Sequence, residues 1–401
     1  MNRLNSLLLV SAILVGHSAC QVNQHYEQVS DSTIAPVEDK KIVGHGYEFA
    51  GNGKIKAAQA LKTLYTEEAI PLAHFPKLDQ EVVSALKWQL KSLKYKKRRK
   101  TQELGNLAVG NKQLKKTIQI LLDAAENQDI NLDQSLKAHK IKGEDGKGNV
   151  HFTGYFTPIM DVRKEKSGPY QYPLYTSPKD WKGKLPSRAE IDGEGALQNL
   201  GLELAYAKSP VDIYFMQVQG SGIVEYEDGS QELFAYSGSN RQSYRSIGRY
   251  MINEGLTTPD RVSLKSIKKY FDRNPSMVDS ILFANPSYVF FKPVQSAPKG
   301  AGLVPLTTLH SIAVDTRYIP LGSVLLAKVP IVNNRNRVIR HDYRILVAQD
   351  VGGAIKGTGH VDLYTGIGDA ARRKASALHH YGNLWLLLPN EDKAQPLAMN
   401  L

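Results

Sequence analysis

Apolar residues in the first third of the chain recur every three to four positions. Ile55 to Ile70, Gln80 to Tyr95 and Lys112 to Ala125 each place Ala, Leu, Ile or Val at that spacing, which predicts three amphipathic helices. From Asn149 the texture changes to short runs rich in Tyr, Phe, Val and Ile, broken by Gly, Pro, Ser and Asp. HFTGYFTPIMDVR, PYQYPLY, VDIYFMQVQGSGIVEY, LFAYSG and SYVFFKP read as strands joined by turns. Two helical stretches interrupt them: Ser243 to Asn253, with Ile247 and Met251 four apart, and Pro259 to Asn274. After Pro293 come SIAVD, SVLLAKVPIV, YRILVAQD, GHVDLY and, past a helix near Asp369 to His380, NLWLLLP. There is no repeat of fixed period. A few helices with many short, non-repeating strands predict an α+β protein, mainly β, with a barrel-like core.

Length and charge refine this picture at the N-terminus. The chain has 401 residues, 42% of them hydrophobic, enough for roughly two domains. Arg3 precedes the apolar run Leu7 to Val15, too short to span a bilayer but suited to the h-region of a signal peptide over residues 1–19. The run closes in Gly16-His17-Ser18-Ala19-Cys20, and Cys20 is the sole cysteine. A lone thiol makes no internal disulfide, and its place resembles the acylated cysteine of bacterial lipoproteins, with His17 where an aliphatic residue is usual. Gln21 after it implies, by the same resemblance, the periplasmic face of the outer membrane. Val22 to Lys40 is polar and aperiodic, which makes residues 20–40 a tether. The net charge of +12 is concentrated in Lys91, Lys94, Lys96, Lys97, Arg98, Arg99 and Lys100. Such a run reads as a solvated face or, in an exported protein, as a contact for anionic lipid or an acidic wall polymer rather than for nucleic acid.

The candidate chemistry narrows to carboxylates. No metal or cofactor motif is present: His310, His341, His360, His379 and His380 are scattered, and the adjacent pair lacks the four-residue spacing that puts two ligands on one helix face. Gly220-Ser221-Gly222 lacks the rest of a nucleotide-binding fingerprint and reads as a turn or a close-approach surface, and no serine lies in GxSxG. Three aspartates remain, each tied to a strand: Asp315 after SIAV, Asp350 after ILVAQ and Asp362 within HVDLY. Asp350, before Gly352-Gly353, fits a turn cap as well as a functional group. Asp362 has no turn to explain it: Val361 and Leu363 take one face of the strand, His360, Asp362 and Tyr364 the other.

Several ordered motifs add a family. TGYFTP, QYPLY, LPSRAEI, MQVQGSG, YRSIG, NPSYVFF and the block RILVAQDVGGAIKGTGHVDLYTGIG together resemble the membrane-bound lytic murein transglycosylase A family, with its three-aspartate C-terminal domain, over roughly Gly154 to Leu388. The resemblance implies a double-psi β-barrel domain with N-terminal helices, made of residues 41–158 and 293–401. A smaller β-barrel, residues 159–292, is inserted in it, with a glycan groove between the two. It implies that Asp362 is the catalytic acid and Asp350 its partner. Thr157, Gln219, Ser221, Tyr155 and Lys356 are of types suited to sugar hydroxyls, acetamido groups and lactyl carboxylates, although tyrosines also pack in β cores and Lys356 is equally suited to solvent. The implied reaction cuts the β-1,4 bond between MurNAc and GlcNAc in peptidoglycan without water, leaving a 1,6-anhydro end, in wall remodelling and with wall-synthesis or hydrolysis complexes as partners. A non-catalytic peptidoglycan scaffold and a glycan hydrolase on the same fold are the alternatives, separated by their products.

Overall fold

A computed structural model of the chain describes residues 64–391, apart from 96–100, 106, 128, 144–146, 259–260 and 334–335. These residues belong to one unit, Val43–Leu401. The signal peptide, Cys20, the tether, most of the first helical stretch and the centre of the basic run lie outside the described residues.

In chain order the first part contains β1 (Tyr65–Glu68), α1 (Gln80–Tyr95), β2 (Gln102–Leu104), β3 (Leu107–Val109), α2 (Asn111–Glu126), α3 (Leu132–Ser135) and β4 (Leu136–Ile141). Next come β5 (Val150–Thr157), β6 (Ile159–Arg163), β7 (Tyr172–Tyr175), β8 (Glu203–Ala207), α4 (Pro210–Gln219), β9 (Gly222–Glu225) and β10 (Gln231–Ser239). Then follow α5 (Ile247–Asn253), α6 (Leu264–Arg273), α7 (Val278–Phe283) and β11 (Val289–Val294). The last part contains β12 (Ser311–Ala313), β13 (Val324–Val332), β14 (Val338–Asp350), β15 (His360–Ile367), α8 (Gly368–Ala377) and β16 (His379–Pro389).

Helices α1 and α2 form where the apolar period is cleanest. Asp79 caps α1 by accepting from Val82 N at 3.0 Å, and α1 buries Val82, Ala85, Leu86 and Leu93 at helical spacing. α1 packs on β14 and on α2, and α2 packs on β13 and β16, closing the main apolar core around Leu325, Leu346 and Leu386. The sheet beneath runs β1-β4-β16-β13-β14-β12-β15-β5, and β16 pairs with β5 as well through His379 to Gly382. A second sheet, β11-β10-β9-β6-β8-β7, is built from the middle of the chain.

Three expectations are corrected. The C-terminal end of the Ile55–Ile70 stretch is not helical: Tyr65–Glu68 is strand β1, paired with β4, and Glu68 accepts from Trp385 Nε1 at 2.9 Å. VDIYFMQVQ is helix α4 rather than strand. Ser209 caps it through Asp212 N, Pro210 opens it, and Gly220 at φ 82° closes it. Its apolar residues lie all round because Val211, Ile213, Tyr214, Met216 and Gln217 are all buried, which erased the helical stripe from the sequence. The last helix stops at Ala377, so His379 and His380 belong to β16.

The middle segment is organised around one buried cation. Arg188, 2% exposed, lies between the rings of Tyr214 and Tyr288, at 4.7 and 5.0 Å. It donates to Gln217 Oε1 at 2.6 Å, to the carbonyls of Asn285 and Ser287 at 3.2 and 2.8 Å, and to Asp192 Oδ2 at 3.3 Å. LPSRAEI, MQVQGSG and NPSYVFF, far apart in sequence, therefore meet at one guanidinium.

Candidate active site

The carboxylates are brought together by strand register. Ala313 in β12 is paired on one side with Asp350 of β14 and on the other with Asp362 of β15. Asp362 is in turn opposite Thr153 of β5, and Thr153 is opposite His379 of β16. Residues in register across neighbouring strands project from the same face, so Asp350, Ala313, Asp362, Thr153 and His379 form one row. Asp350 enters that row through a register shift between Ile312 and Ala313 in the β12–β14 pairing. A bulge of this kind re-aims a side chain. Ala313 is the residue that links the two aspartates in this row.

Each carboxylate has distinct partners. Asp350 Oδ1 accepts from the backbone N–H of Ala301 and of Val351, both at 2.9 Å, and Oδ2 accepts from Tyr155 OH at 3.0 Å. Burial pushes its pKa up, and these three donors oppose the shift. Asp362 Oδ1 accepts from Thr153 Oγ1 at 2.8 Å. Burial raises the Asp362 carboxyl to about 7; the Thr153 hydrogen bond works against this, and the neighbouring charge of Asp350 adds to it. A carboxyl poised near neutrality exists in both protonation states at working pH, as an acid that must later act as a base requires.

Asp315, the third aspartate, is differently employed. It is 6% exposed and held by Arg317, with Gly357 N donating to Oδ2 at 3.0 Å. Burial alone would raise its pKa, but the Arg317 and Gly357 hydrogen bonds prevail and lower it. An ion-paired carboxylate with a low pKa is a poor proton donor. Asp315 instead ties the 351–359 loop to the end of β12.

The site has one tight backbone contact. A Cβ on Gly300 would lie 2.6 Å from Gln349 O and 2.8 Å from Asp350 Cγ. Gly300→Ala therefore pushes the 300–302 turn away from Asp350 and weakens the Ala301 hydrogen bond. The expected result is a loss of about 1–3 kcal/mol in stability and a 10- to 100-fold loss of turnover, read from urea unfolding and murein digestion. Turnover within twofold of wild type would show that this contact does not hold the site.

Comparisons with known proteins identify relatives of the chain. The chain matches the MltA specific insert domain over residues 151–292 and the 3D domain over residues 310–388. It is 43% identical over 256 residues to the membrane-bound lytic murein transglycosylase A of Escherichia coli K12, covering 63% of this chain and 69% of that one. The chain belongs to the membrane-bound lytic murein transglycosylase A family. The Vibrio cholerae relative of the same name is 41% identical over 269 residues, 66% of this chain and 72% of its own. Escherichia coli MltA with bound chitohexaose superimposes with a TM-score of 0.67 at 34% identity, over 81% of this chain and 94% of that one. A membrane-bound lytic murein transglycosylase from Agrobacterium tumefaciens shares the fold, with a TM-score of 0.68 at 24% identity over 81% and 98% of the two chains.

Among the residues that the MltA motifs singled out, Asp350, Asp362 and Tyr155 come together. Tyr155 is buried, and its hydroxyl serves Asp350. Thr157, on the same face of β5, is also buried, its hydroxyl 2.9 Å from Tyr364 OH. Gln219 lies elsewhere: its Oε1 accepts from Phe156 N at 2.9 Å, joining the end of α4 to β5. It lines a cleft of about 460 Å³ with Phe156, Ile159, Lys268 and Arg372, and neither Asp350 nor Asp362 lines that cleft. Ser221 sits in the turn between α4 and β9, and Lys356 is exposed on the 351–359 loop. Thr153 was not singled out in the sequence, although the alternation His151, Thr153, Tyr155, Thr157 in β5 carries the signal.

Proposed function

We propose that the protein is a peptidoglycan lytic transglycosylase that cuts the β-1,4 bond between MurNAc and GlcNAc without water. The observation that carries this reading is Asp362: one carboxyl, raised to about 7, with Oδ1 held by Thr153 and no hydrogen bond to Oδ2 among the described residues. In the acid form Oδ2 gives its proton to the glycosidic oxygen as the bond from that oxygen to C1 of MurNAc breaks. The carboxylate then takes the proton of the MurNAc C6 hydroxyl as O6 bonds to C1 and closes the 1,6-anhydro ring. Asp362 ends the cycle protonated again. Because the nucleophile is intramolecular, no second carboxylate is needed to activate water. Asp350 keeps Asp362 protonated by its nearby charge, and Tyr155, whose own pKa is pushed up by burial and by Asp350, stays a phenol that holds Asp350 in place.

The finer organisation follows the same reading. The pairing circuit β5-β15-β12-β14-β13-β16-β5 supports reading residues 41–158 and 293–401 as a double-psi β-barrel domain, with residues 159–292 as the inserted smaller barrel. Glycan lies between them, where Tyr244 of the insert approaches Gly353 beside the aspartates. Thr157, Gln219, Ser221 and Lys356 contribute to glycan binding, and wall-synthesis or hydrolysis complexes recruit the enzyme. Cys20 carries the lipid that anchors the protein to the periplasmic face of the outer membrane. A relative crystallised with chitohexaose supports a glycan ligand.

Incubation with purified murein sacculi separates enzyme from scaffold. Soluble muropeptides are expected to appear in proportion to time and enzyme. Stoichiometric binding to sacculi with no soluble product would contradict the reading.

A further inference from the structure

One row along from the carboxylates, three side chains of the same face crowd together. His360 of β15 is opposite His151 of β5, which is opposite Tyr381 of β16. The His151 ring is 5.2 Å from His360, 4.5 Å from His379 and 5.2 Å from Tyr381, centroid to centroid. No group of three or more His, Cys, Asp or Glu among the described residues is arranged to hold a metal ion. The imidazoles instead end in a hydrogen bond: His360 Nε2 is 2.9 Å from Thr153 Oγ1, the atom that serves Asp362.

A threonine hydroxyl has one proton to give. If Thr153 donates to Asp362 Oδ1, the short contact to His360 requires Nε2–H to donate to Thr153. The acid proton of Asp362 then sits on Oδ2. In the opposite tautomer, with hydrogen on Nδ1, Nε2 takes the Thr153 proton, Thr153 accepts from Oδ1–H, and the acid proton is trapped against the protein. We propose that His360, as the neutral Nε2–H tautomer acting through Thr153, is a positioning residue that keeps the catalytic proton of Asp362 on Oδ2.

The same tautomer suits both halves of the cycle, because the carboxylate formed after proton transfer also needs Thr153 as donor. The groups around His360 are His151 from β5, His379 from β16, Thr153, and Asp362 two positions along its own strand, with Tyr381 of β16 against His151. Burial and then the proximity of His379 lower the His360 pKa to about 4. Burial lowers His151 and His379 too, and the charges of neighbouring imidazoles add to this. The cluster thus resists an imidazolium and leaves tautomerism, rather than charge, as the variable.

The inference rests on Asp362 being the acid, so Asp362→Asn is assayed in parallel. In the full chain, His360→Leu is expected to lower kcat on murein about 10-fold, the upper range for a lost hydrogen bond between neutral groups, with KM unchanged and the alkaline limb of the kcat profile moved to higher pH. His360→Gln, whose amide N–H reaches about as far as Nε2, is expected to restore kcat to within about threefold. Retention of kcat in His360→Leu beside an inactive Asp362→Asn would overturn the positioning role alone, as would a His360→Gln no better than His360→Leu. Full activity in Asp362→Asn would overturn the underlying reading and this role with it. Nitrogen-15 spectra of histidine-labelled wild type decide the matter without a variant: Nε2–H at His360 supports the role, and Nδ1–H or imidazolium at neutral pH overturns it.

Discussion

Asp362→Asn lowers lytic activity on murein by about 10²–10⁴-fold, the range supplied by a positioned general acid–base group, while leaving a protein that is more stable than wild type at alkaline pH. The sign of the second effect follows from linkage. The Asp362 carboxyl is raised to about 7 in the folded chain, against about 3.9 in an unfolded one. Between those values the folded state binds the extra proton, so wild-type stability falls as pH rises from about 4 to 7. The amide cannot ionise and escapes this loss, at most about 4 kcal/mol at pH 8. Its carbonyl still accepts from Thr153. Unfolding free energies of the two proteins from urea should nearly coincide at about pH 3.5 and diverge steadily, by about 1.5 kcal/mol at pH 5 and about 4 kcal/mol at pH 8; a variant less stable at pH 8 would mean that the carboxyl is not desolvated. Wild-type turnover, which starts from the acid form, should decline as pH rises through about 7.

Arg188→Met destabilises the chain by about 2–4 kcal/mol at pH 8, as expected when several hydrogen-bond acceptors around a buried guanidinium lose one charged donor. Methionine fills much of the volume between Tyr214 and Tyr288 but leaves Gln217, two backbone carbonyls and Asp192 without their donor. Burial already raises Asp192 to about 6 even with Arg188 opposing the shift. Without the guanidinium the carboxyl moves higher, so the variant recovers part of its loss at pH 5, where Asp192 is neutral. A urea midpoint within about 0.5 kcal/mol of wild type, or a loss that does not change with pH, would contradict this account of the segment. The test reaches function as well, because Asn285 and Pro286 position Arg245 and Asn240 beside Tyr244, the residue that approaches Gly353.

The two aspartates show where sequence is informative and where it is not. Asp362 was legible because the alternation in HVDLY is local: a polar residue in mid-strand has no turn to serve. The α1 and α2 stripes were legible for the same reason. The meeting of Asp350 with Asp362 depends on a bulge between β12 and β14 and on pairing between residues tens of positions apart, and no local pattern encodes either. His360 and His379, distant in the sequence from His151, converge on it because β5 pairs with both β15 and β16. Helix α4 shows no apolar stripe because it is buried on several sides, although Ser209-Pro210 before it and Gly220 after it are the capping residues that identify a helix.

Motif resemblance and geometry bear on different parts of the account. The motifs around Arg188 are long and specific because they share one buried cation, which concerns stability of the middle segment. The proposed chemistry rests on fewer atoms: Oδ2 of Asp362, the hydroxyl that holds Oδ1, and the Asp350 charge beside it.

Digestion of murein by the wild-type chain in water enriched in the heavy oxygen isotope tests the central claim most directly. Mass spectrometry is expected to find 1,6-anhydroMurNAc ends that carry no label, because oxygen O6 of the substrate closes the ring. Reducing MurNAc ends with one heavy oxygen each would show that water is the nucleophile and contradict a reaction run by Asp362 alone.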